Sequence, residues 1–407
     1  MEVVTGTLTF SLFEDGRARL TPTDRSWEIL LTAPVLSLAG PAGPGITPQI
    51  LDEHRLPTVL REARSVGAGL ALRYTAPGEG LDLILRVSPL DEAHLTIRAT
   101  VHNTGAGPVA IGAVHPLVSD ARTGGQVRMG EQDRLGFLRQ GWQSWSHTGS
   151  HDLPGWRETP IRMPFVHGMK ENPANPYRTN RWTAEMVTVL RGDGGHLLVG
   201  LDPVTDRFGD IELRRHPIGW SVAARIHLDG RRLGPGGRLD AGGVVVGAGP
   251  DPDTLLGAWA ARLAPRSAAA LARREATLAT VGWCTWYCFM RRITEGLLRE
   301  VTEHIATRRD LDAIRLIQLD DGYQRRIGDW LDPSGAFPTG LAEAVAGIRR
   351  RGYDPGLWVS PFIAEPRSTL FRAHPDWFVT DPAGRPISGG WNPLWRTRFH
   401  VLDPTLP

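Results

Sequence analysis

The sequence predicts a multidomain β plus α/β chain, a large antiparallel β-sandwich followed by the first part of a closed βα barrel. Three observations predict it. Up to about residue 249 apolar residues recur with a period of two between turn-forming residues, the pattern of half-buried antiparallel strands. From residue 281 short apolar strands alternate with amphipathic helical stretches, the pattern of a parallel sheet. Strand-then-polar-end segments also recur, beginning at Gly282, reaching Asp320 and ending at Trp358, each about 38 residues from Asp320.

In the first part, Leu81, Leu83, Leu85 and Val87 alternate with more polar neighbours. Leu95, Ile97, Ala99 and Val101 do the same, and Asn103-Thr104-Gly105 ends that run with turn chemistry. Further strands read at 196–201, 220–228 and 243–247. The expected domains are 1–249 for the sandwich, 250–280 for a helical linker and 281–407 for three βα units, with the start of a fourth within reach. In the linker Asp253 is the expected N-cap of a helix carrying Leu255, Leu256, Trp259 and Leu263 on one face. The barrel strands are expected at 281–287, 314–319 and 356–360. Thr294 caps the first helix, Thr339 precedes the second, and Gly352 sits where a helix-ending glycine belongs.

Composition narrows the function. At 407 residues the chain has room for two or three cores, and Lys+Arg 46 against Asp+Glu 44 leaves a formal charge of only +2. No basic run suggests nucleic acid or an anionic membrane, so the expected partner is a small neutral molecule. Two cysteines, Cys284 and Cys288, give neither a disulfide framework nor a zinc site and read as reduced thiols. The N-terminus lacks a basic leader, and no window of 18 apolar residues occurs, which reads as a soluble, cytoplasmic protein. Fourteen tryptophans supply flat apolar faces suited to sugar rings, although core packing accounts for most of them.

Chemistry concentrates at Gln-Leu-Asp-Asp-Gly-Tyr-Gln, residues 318–324. Adjacent carboxylates sit too close for the acid and base of glycoside hydrolysis, which stand about 5 to 9.5 Å apart. At a strand end where Gly322 lets the chain turn, Asp320 and Asp321 can both face the barrel mouth and accept hydrogen bonds from vicinal hydroxyls. Recognition of a sugar is therefore preferred over catalysis, with helix capping or loop bracing as the plainer alternative. His147 and His151 lie four apart in a Gly/Ser-rich loop and read as a solvated or sugar-contacting loop rather than a metal site. Glu365 reads as an ordinary loop charge, and Gly67-Ala68-Gly69 lacks the third glycine of a dinucleotide fingerprint.

G-W-C-T-W-Y at 282–287, Q-L-D-D-G-Y at 318–323, I-G-D-W at 327–330, G-L-W-V-S-P-F at 356–362 and H-P-D-W at 374–377 together resemble the α-galactosidases of glycoside hydrolase family 36. G-W-Q-S-W-S at 141–146 also resembles the loop that the family's N-terminal β-supersandwich sends into the active site. The resemblance implies that Asp320 and Asp321 bond the galactose hydroxyls at carbons 4 and 6. It implies that Trp286, Tyr287 and Trp358 line the pocket and that Trp145 and Trp142 close it from the sandwich. Asp329 and Trp330 belong to a family motif and are read only as bracing their loop. An α-galactoside oligosaccharide is the implied partner, no cofactor or metal is called for, and family members commonly form homo-oligomers.

One departure matters more than the agreements. The family's nucleophilic Asp lies in a Lys-x-Asp motif on the fourth barrel strand, and its acid/base lies two strands later. Lys170 is the only lysine here and is followed by Glu171 and Asn172. Double displacement needs both carboxyl groups, so no catalytic residue is assigned and the 407 residues are expected to be inactive alone. The readings in contention are the recognition part of a retaining α-galactosidase, a non-catalytic sugar-binding product, and a relative acting on N-acetylgalactosamine or transferring galactose as raffinose synthases do. The first predicts a Lys-x-Asp encoded within about 50 residues downstream of codon 407, roughly one more βα unit. Reading the gene checks it, and finding none removes the hydrolytic claim.

Overall fold

In a computed structural model of the chain, the described residues are 1–39, 54–130, 134–141, 146–156, 180–202, 206–262, 280–381 and 383–406. The chain divides into two compact units, Met1–Arg266 and Ser267–Pro407.

The first unit is built from antiparallel sheets of nine, six and five strands. One continuous core joins all three, because each contributes a face of alternating apolar side chains. In the strand His94–Asn103, Leu95, Ile97, Ala99 and Val101 are all buried, and the residues between them are partly exposed. Asn103 then makes the turn foreseen from sequence: its Oδ1 accepts the Gly105 amide at 3.0 Å and its Nδ2 donates to Gly107 and Leu233 carbonyls at 2.8 and 2.9 Å. The expected strands at 196–201, 220–228 and 243–247 are present and longer, at Gly195–Leu201, Gly219–Leu233 and Arg238–Gly249.

Val244, Val245 and Val246 are buried without alternation, which requires cover on both faces of their strand. The helix Pro252–Ala261 supplies the outer cover. Its Leu255 joins Val187, Val189, Leu198 and Val245 in a separate apolar cluster, and Trp259 Nε1 donates to the Leu201 carbonyl at 2.7 Å. The helix starts two residues earlier than expected. Asp251, rather than Asp253, is the N-cap and accepts the Thr254 amide at 3.0 Å, because Pro252 suits the first helical position, where no N–H is needed. Leu263, the fourth residue of the expected face, lies outside the described residues.

On the six-stranded sheet Asp210 is fully buried, with Arg225 Nε and Nη2 at 3.0 and 2.8 Å and His227 Nε2 at 2.8 Å. Burial alone would raise its pKa, but the Arg225 charge and the His227 hydrogen bond outweigh that and hold it well below the usual carboxylate range. A carboxyl group depressed in the folded state contributes stability above its unfolded value near pH 4, and that contribution is lost as the pH falls toward the folded value. Asp210→Asn is therefore expected to cost about 3 to 5 kcal/mol at neutral pH, the typical result of breaking a buried pair. Denaturant melts of both proteins from pH 7 to pH 2 check this: the gap between them should narrow below about pH 4.

The second unit begins with three parallel strands, Val281–Cys284, Ile314–Leu319 and Asp354–Leu357, paired in that order. The helices Glu295–Thr307 and Leu341–Arg350 form the two crossovers, and Leu298, Ile305, Ala344 and Ile348 pack with Ile317 and Leu319 of the central strand. Thr294 caps the first helix, accepting the Leu297 amide at 3.2 Å. Thr339 acts differently. Its hydroxyl donates to Glu295 Oε1 at 2.6 Å, tying the second helix's entry to the first helix, while Gly340 (φ +90°) holds the cap position.

Three expectations are corrected here. The first strand stops at Cys284, and Trp286–Phe289 is a helical turn closed by the Phe289 amide on the Thr285 carbonyl at 3.0 Å. The third strand runs two residues earlier than expected, because its register follows Leu316–Leu319. After it comes a short helix, Thr369–Ala373, and an antiparallel sheet of Ile363–Ala364, Ser388–Asn392 and Thr397–Val401, where the sequence pattern suggests only the continuation of a βα rhythm.

Candidate sugar-recognition site

The second parallel strand delivers Asp320 and Asp321 directly after Leu319, and segments from four other parts of the same unit converge on them. Thr285, just past the first strand, is fully buried and its Oγ1 accepts the Asp320 amide at 2.9 Å. Asp320 Oδ2 accepts Gln318 Nε2 at 2.9 Å and the Cys284 thiol at 3.3 Å, and Oδ1 accepts the Asp321 amide at 2.8 Å. Gln318 lies two residues before Asp320, the spacing that puts strand side chains on one face. Burial, joined by the charge of Asp320, keeps the Cys284 thiol above its ordinary pKa and therefore protonated and able to donate at neutral pH.

Asp321 has its own donors. Oδ1 accepts Gln324 Nε2 at 2.6 Å, with Arg291 Nε 3.4 Å away, and Oδ2 accepts Trp395 Nε1 at 2.7 Å. Asp320 and Asp321 are only 9% and 3% exposed. The sequence placed them facing an open mouth, whereas the structure sheathes them in donors from their own chain. Two neighbouring buried charges demand this, since an unpaired buried carboxylate is very costly. A carboxylate offers about four acceptor positions; the described hydrogen-bond donors take three on Asp320 and two on Asp321, whose Oδ1 also faces the Arg291 guanidinium. One position remains on Asp320 Oδ1, and each oxygen of Asp321 retains one.

Gly322 makes the turn after the pair. Its φ is +124°, and a Cβ there would lie 2.8 Å from Arg291 Cα. Tyr323 follows, fully buried, and its hydroxyl donates to the Trp358 carbonyl at 3.1 Å. Burial first, and then the charges of Asp321 and Asp320, hold that phenol well above its ordinary pKa, so it stays a donor.

The predicted aromatic lining is brought together in part. Trp358 sits beside the pair's strand, its amide donating to the Leu319 carbonyl at 2.9 Å, half-buried and edge-on to Trp330 at 5.7 Å. Trp286 is half-buried on the helical turn after Thr285, and Tyr287 beside it is 88% exposed. Trp142 and Trp145 lie outside the described residues. Asp329 gains a definite role, because its two oxygens accept the Thr369 and Leu370 amides at 2.9 and 3.1 Å and cap the short helix. Glu365 is no ordinary loop charge. It is 4% exposed, ion-paired to Arg326 Nη1 at 3.0 Å, and its amide donates to the Ile327 carbonyl at 3.0 Å, so it locks the loop after the pair to the segment after the third strand. In the first unit His147 and His151 meet through Nε2 atoms 2.8 Å apart, and His151 stacks on Trp156 at 3.8 Å. Among the described residues no group of three or more His, Cys, Asp or Glu could hold a metal.

Several site residues escaped the reading of the sequence: Thr285, Gln318, Arg291, Gln324 and Trp395. Gln318 and Gln324 flank the aspartates in the motif itself and could have been found there. Arg291 and Trp395 could not, because only the fold brings them to the pair.

Residues 298–394 match the family model described as Melibiase. The α-galactosidase AgaA of Geobacillus stearothermophilus is 39% identical over 88 residues, 20% of this chain and 12% of that protein. Over this stretch the chain is similar to α-galactosidases. The α-galactosidase of Escherichia coli is 34% identical over 96 residues, 22% of this chain and 13% of that protein. Among solved structures, the Thermus thermophilus α-galactosidase TtGalA in complex with stachyose superposes with a TM-score of 0.51 at 27% identity, covering 82% of this chain and 60% of that one. The Geobacillus AgaA structure gives a TM-score of 0.56 at 14% identity, covering 98% and 61%, which speaks for the fold alone. The chain thus spans less than two thirds of the length of these relatives, which are α-galactosidases.

The turn at Gly322 generates a prediction about the site. Gly322→Ala forces a side chain into a left-handed backbone against Arg291 and is expected to cost about 1 to 3 kcal/mol. Thermal unfolding of the two proteins checks it, and an unchanged melting temperature would mean that the turn does not hold the pair in place.

Proposed function

We propose that this chain carries the galactose-recognising part of an α-galactosidase that acts by retaining hydrolysis on terminal α-linked galactose in oligosaccharides. The observation that carries the reading is the pair Asp320 and Asp321 at the carboxyl end of a parallel strand, each retaining acceptor capacity beyond its described donors. Ligand sites of βα sheets are built at such strand ends. Two sugar hydroxyls, those at carbons 4 and 6, would donate one bond to each carboxylate, and a charged acceptor makes those bonds strong. A site built to bond a given hydroxyl rejects an epimer that cannot present it, because the buried acceptor is then left unpaired. Trp358 beside the pair, and Trp286 and Tyr287 at the end of the first strand, supply apolar surface for the ring.

The architecture behind this reading is a β-supersandwich in the first unit followed by the opening strands of a TIM barrel in the second. The catalytic steps are not assigned to these residues. With no Lys-x-Asp in the 407 residues, the nucleophile and acid/base of the retaining mechanism have no candidates here, and the chain alone is proposed to bind without turnover. An oligomeric assembly and a cytoplasmic location remain part of the proposal on the strength of the family resemblance and the sequence reading.

A second reading within the same class rests on a specific likeness. The A type blood α-D-galactosamine galactosaminidase of Flavonifractor plautii is 35% identical over 88 residues, 20% of this chain and 8% of that protein. The carboxylate pair addresses hydroxyls remote from carbon 2, so it serves either sugar. Asp320→Asn tests the shared core of both readings. It is expected to weaken galactose binding at least tenfold, about 1.4 kcal/mol, and to leave the weaker binding of glucose nearly unchanged. Calorimetric titration of both sugars into both proteins measures this. Equal losses for the two sugars would mean that the pair braces the loop and does not read the sugar.

A further inference from the structure

The antiparallel hairpin after the third parallel strand has no place in the recognition scheme above, yet its tip reaches the carboxylate pair. Ser388–Asn392 pairs with Thr397–Val401, with Asn392 opposite Thr397, so residues 393–396 form the connection. That connection is tightly made. Asn392 Oδ1 accepts the Leu394 amide at 2.9 Å, and Arg396 adopts a left-handed φ of +54°. Two bonds then fasten it to the site. Arg291 Nη1 donates to the Leu394 carbonyl at 2.9 Å, and Trp395 Nε1 donates to Asp321 Oδ2 at 2.7 Å. Phe399 meets the Trp395 ring edge-on at 5.8 Å and fixes its plane.

We propose that Trp395 is a positioning residue that sets sugar specificity through Asp321, an inference that rests on the galactoside reading and deepens it. On Asp321, Oδ1 accepts Gln324 Nε2 and lies 3.4 Å from Arg291 Nε in an ion pair, whereas Oδ2 has Trp395 Nε1 as its donor among the described residues and keeps its second lone pair for a ligand. An indole has one N–H and no acceptor. It can occupy one lone pair of that oxygen, cannot accept a bond from the sugar itself, and leaves the second lone pair pointing in a direction its own bond defines. A hydroxyl that reaches Asp321 must arrive beside the half-buried Trp395 ring, whose edge limits which hydroxyl can approach. Arg291 reinforces the geometry by holding both the hairpin tip and Asp321 Oδ1.

Trp395→Phe keeps the aromatic ring and removes the N–H. In the full 407-residue chain it is expected to weaken galactose binding at least tenfold by calorimetry, with circular dichroism unchanged. In an Asp321→Ala background the same substitution should change affinity less than twofold, because its effect runs through that carboxylate. Equal losses in both backgrounds would show a role in packing alone and overturn the inference, as would wild-type affinity in Trp395→Phe. If the unsubstituted chain takes up no galactose, the galactoside reading itself fails and the inference falls with it. A measurement on the unsubstituted chain stands apart from how the variants fold: the Trp395 indole N–H proton resonance should shift on addition of galactose, and an unmoved resonance during binding would contradict the proposal.

Discussion

Two carboxyl groups placed side by side at 9% and 3% exposure are the constraint around which the second unit is arranged. Their desolvation is tolerable only with partners for each, and those partners come from separate pieces of chain: Cys284 from the first strand's end, Gln318 and Gln324 from either side of the pair, and Trp395 from the hairpin donate hydrogen bonds, Arg291 from the turn before the first helix adds an ion pair, and Thr285 accepts the Asp320 amide. Recruiting them fixes the end of the first strand, the left-handed turn at Gly322 and the docking of the hairpin tip. The same network leaves each carboxylate short of saturation, which is what a recognition site needs and a purely structural cluster does not.

The first unit obeys a different logic. Its sheets satisfy their own backbones, and alternation alone decides which face is buried, so the strands around Leu81–Pro89 and His94–Asn103 were readable residue by residue. Where both faces are covered, alternation vanishes, as at Val244–Val246, and the covering helix is the reason. Asp210 is the exception on the other sheet, a buried charge held by Arg225 and His227. It was invisible in the sequence because nothing in Gly-Asp-Ile-Glu-Leu distinguishes a buried aspartate from a solvated one.

In the second unit the central strand, both helices, the Thr294 cap and the carboxylate pair were legible, because each is a local pattern of period, cap or motif. What was not legible depended on partners far along the chain. The first strand ends early because Thr285 is taken by Asp320 thirty-five residues later. Glu365 reads as a loop charge until Arg326 is brought beside it, and Trp395 reads as one more indole until the hairpin folds over Asp321. Asp329 sat in a recognisable motif, yet its job as a cap is visible only with the helix at 369–373 in view. The family resemblance singled out the two carboxylates, and the physics of burying them explains the neighbours it did not mention.

The central claim is that Asp320 and Asp321, although braced from within, still read two hydroxyls of galactose. Calorimetric titration of the chain with galactose, 4-deoxygalactose and 6-deoxygalactose tests it most directly. The account predicts that galactose binds and that removing either hydroxyl weakens binding about tenfold or more, since each deletion leaves a charged acceptor without its donor. Deoxy sugars that bind as well as galactose would contradict it and return the pair to the role of a structural clasp.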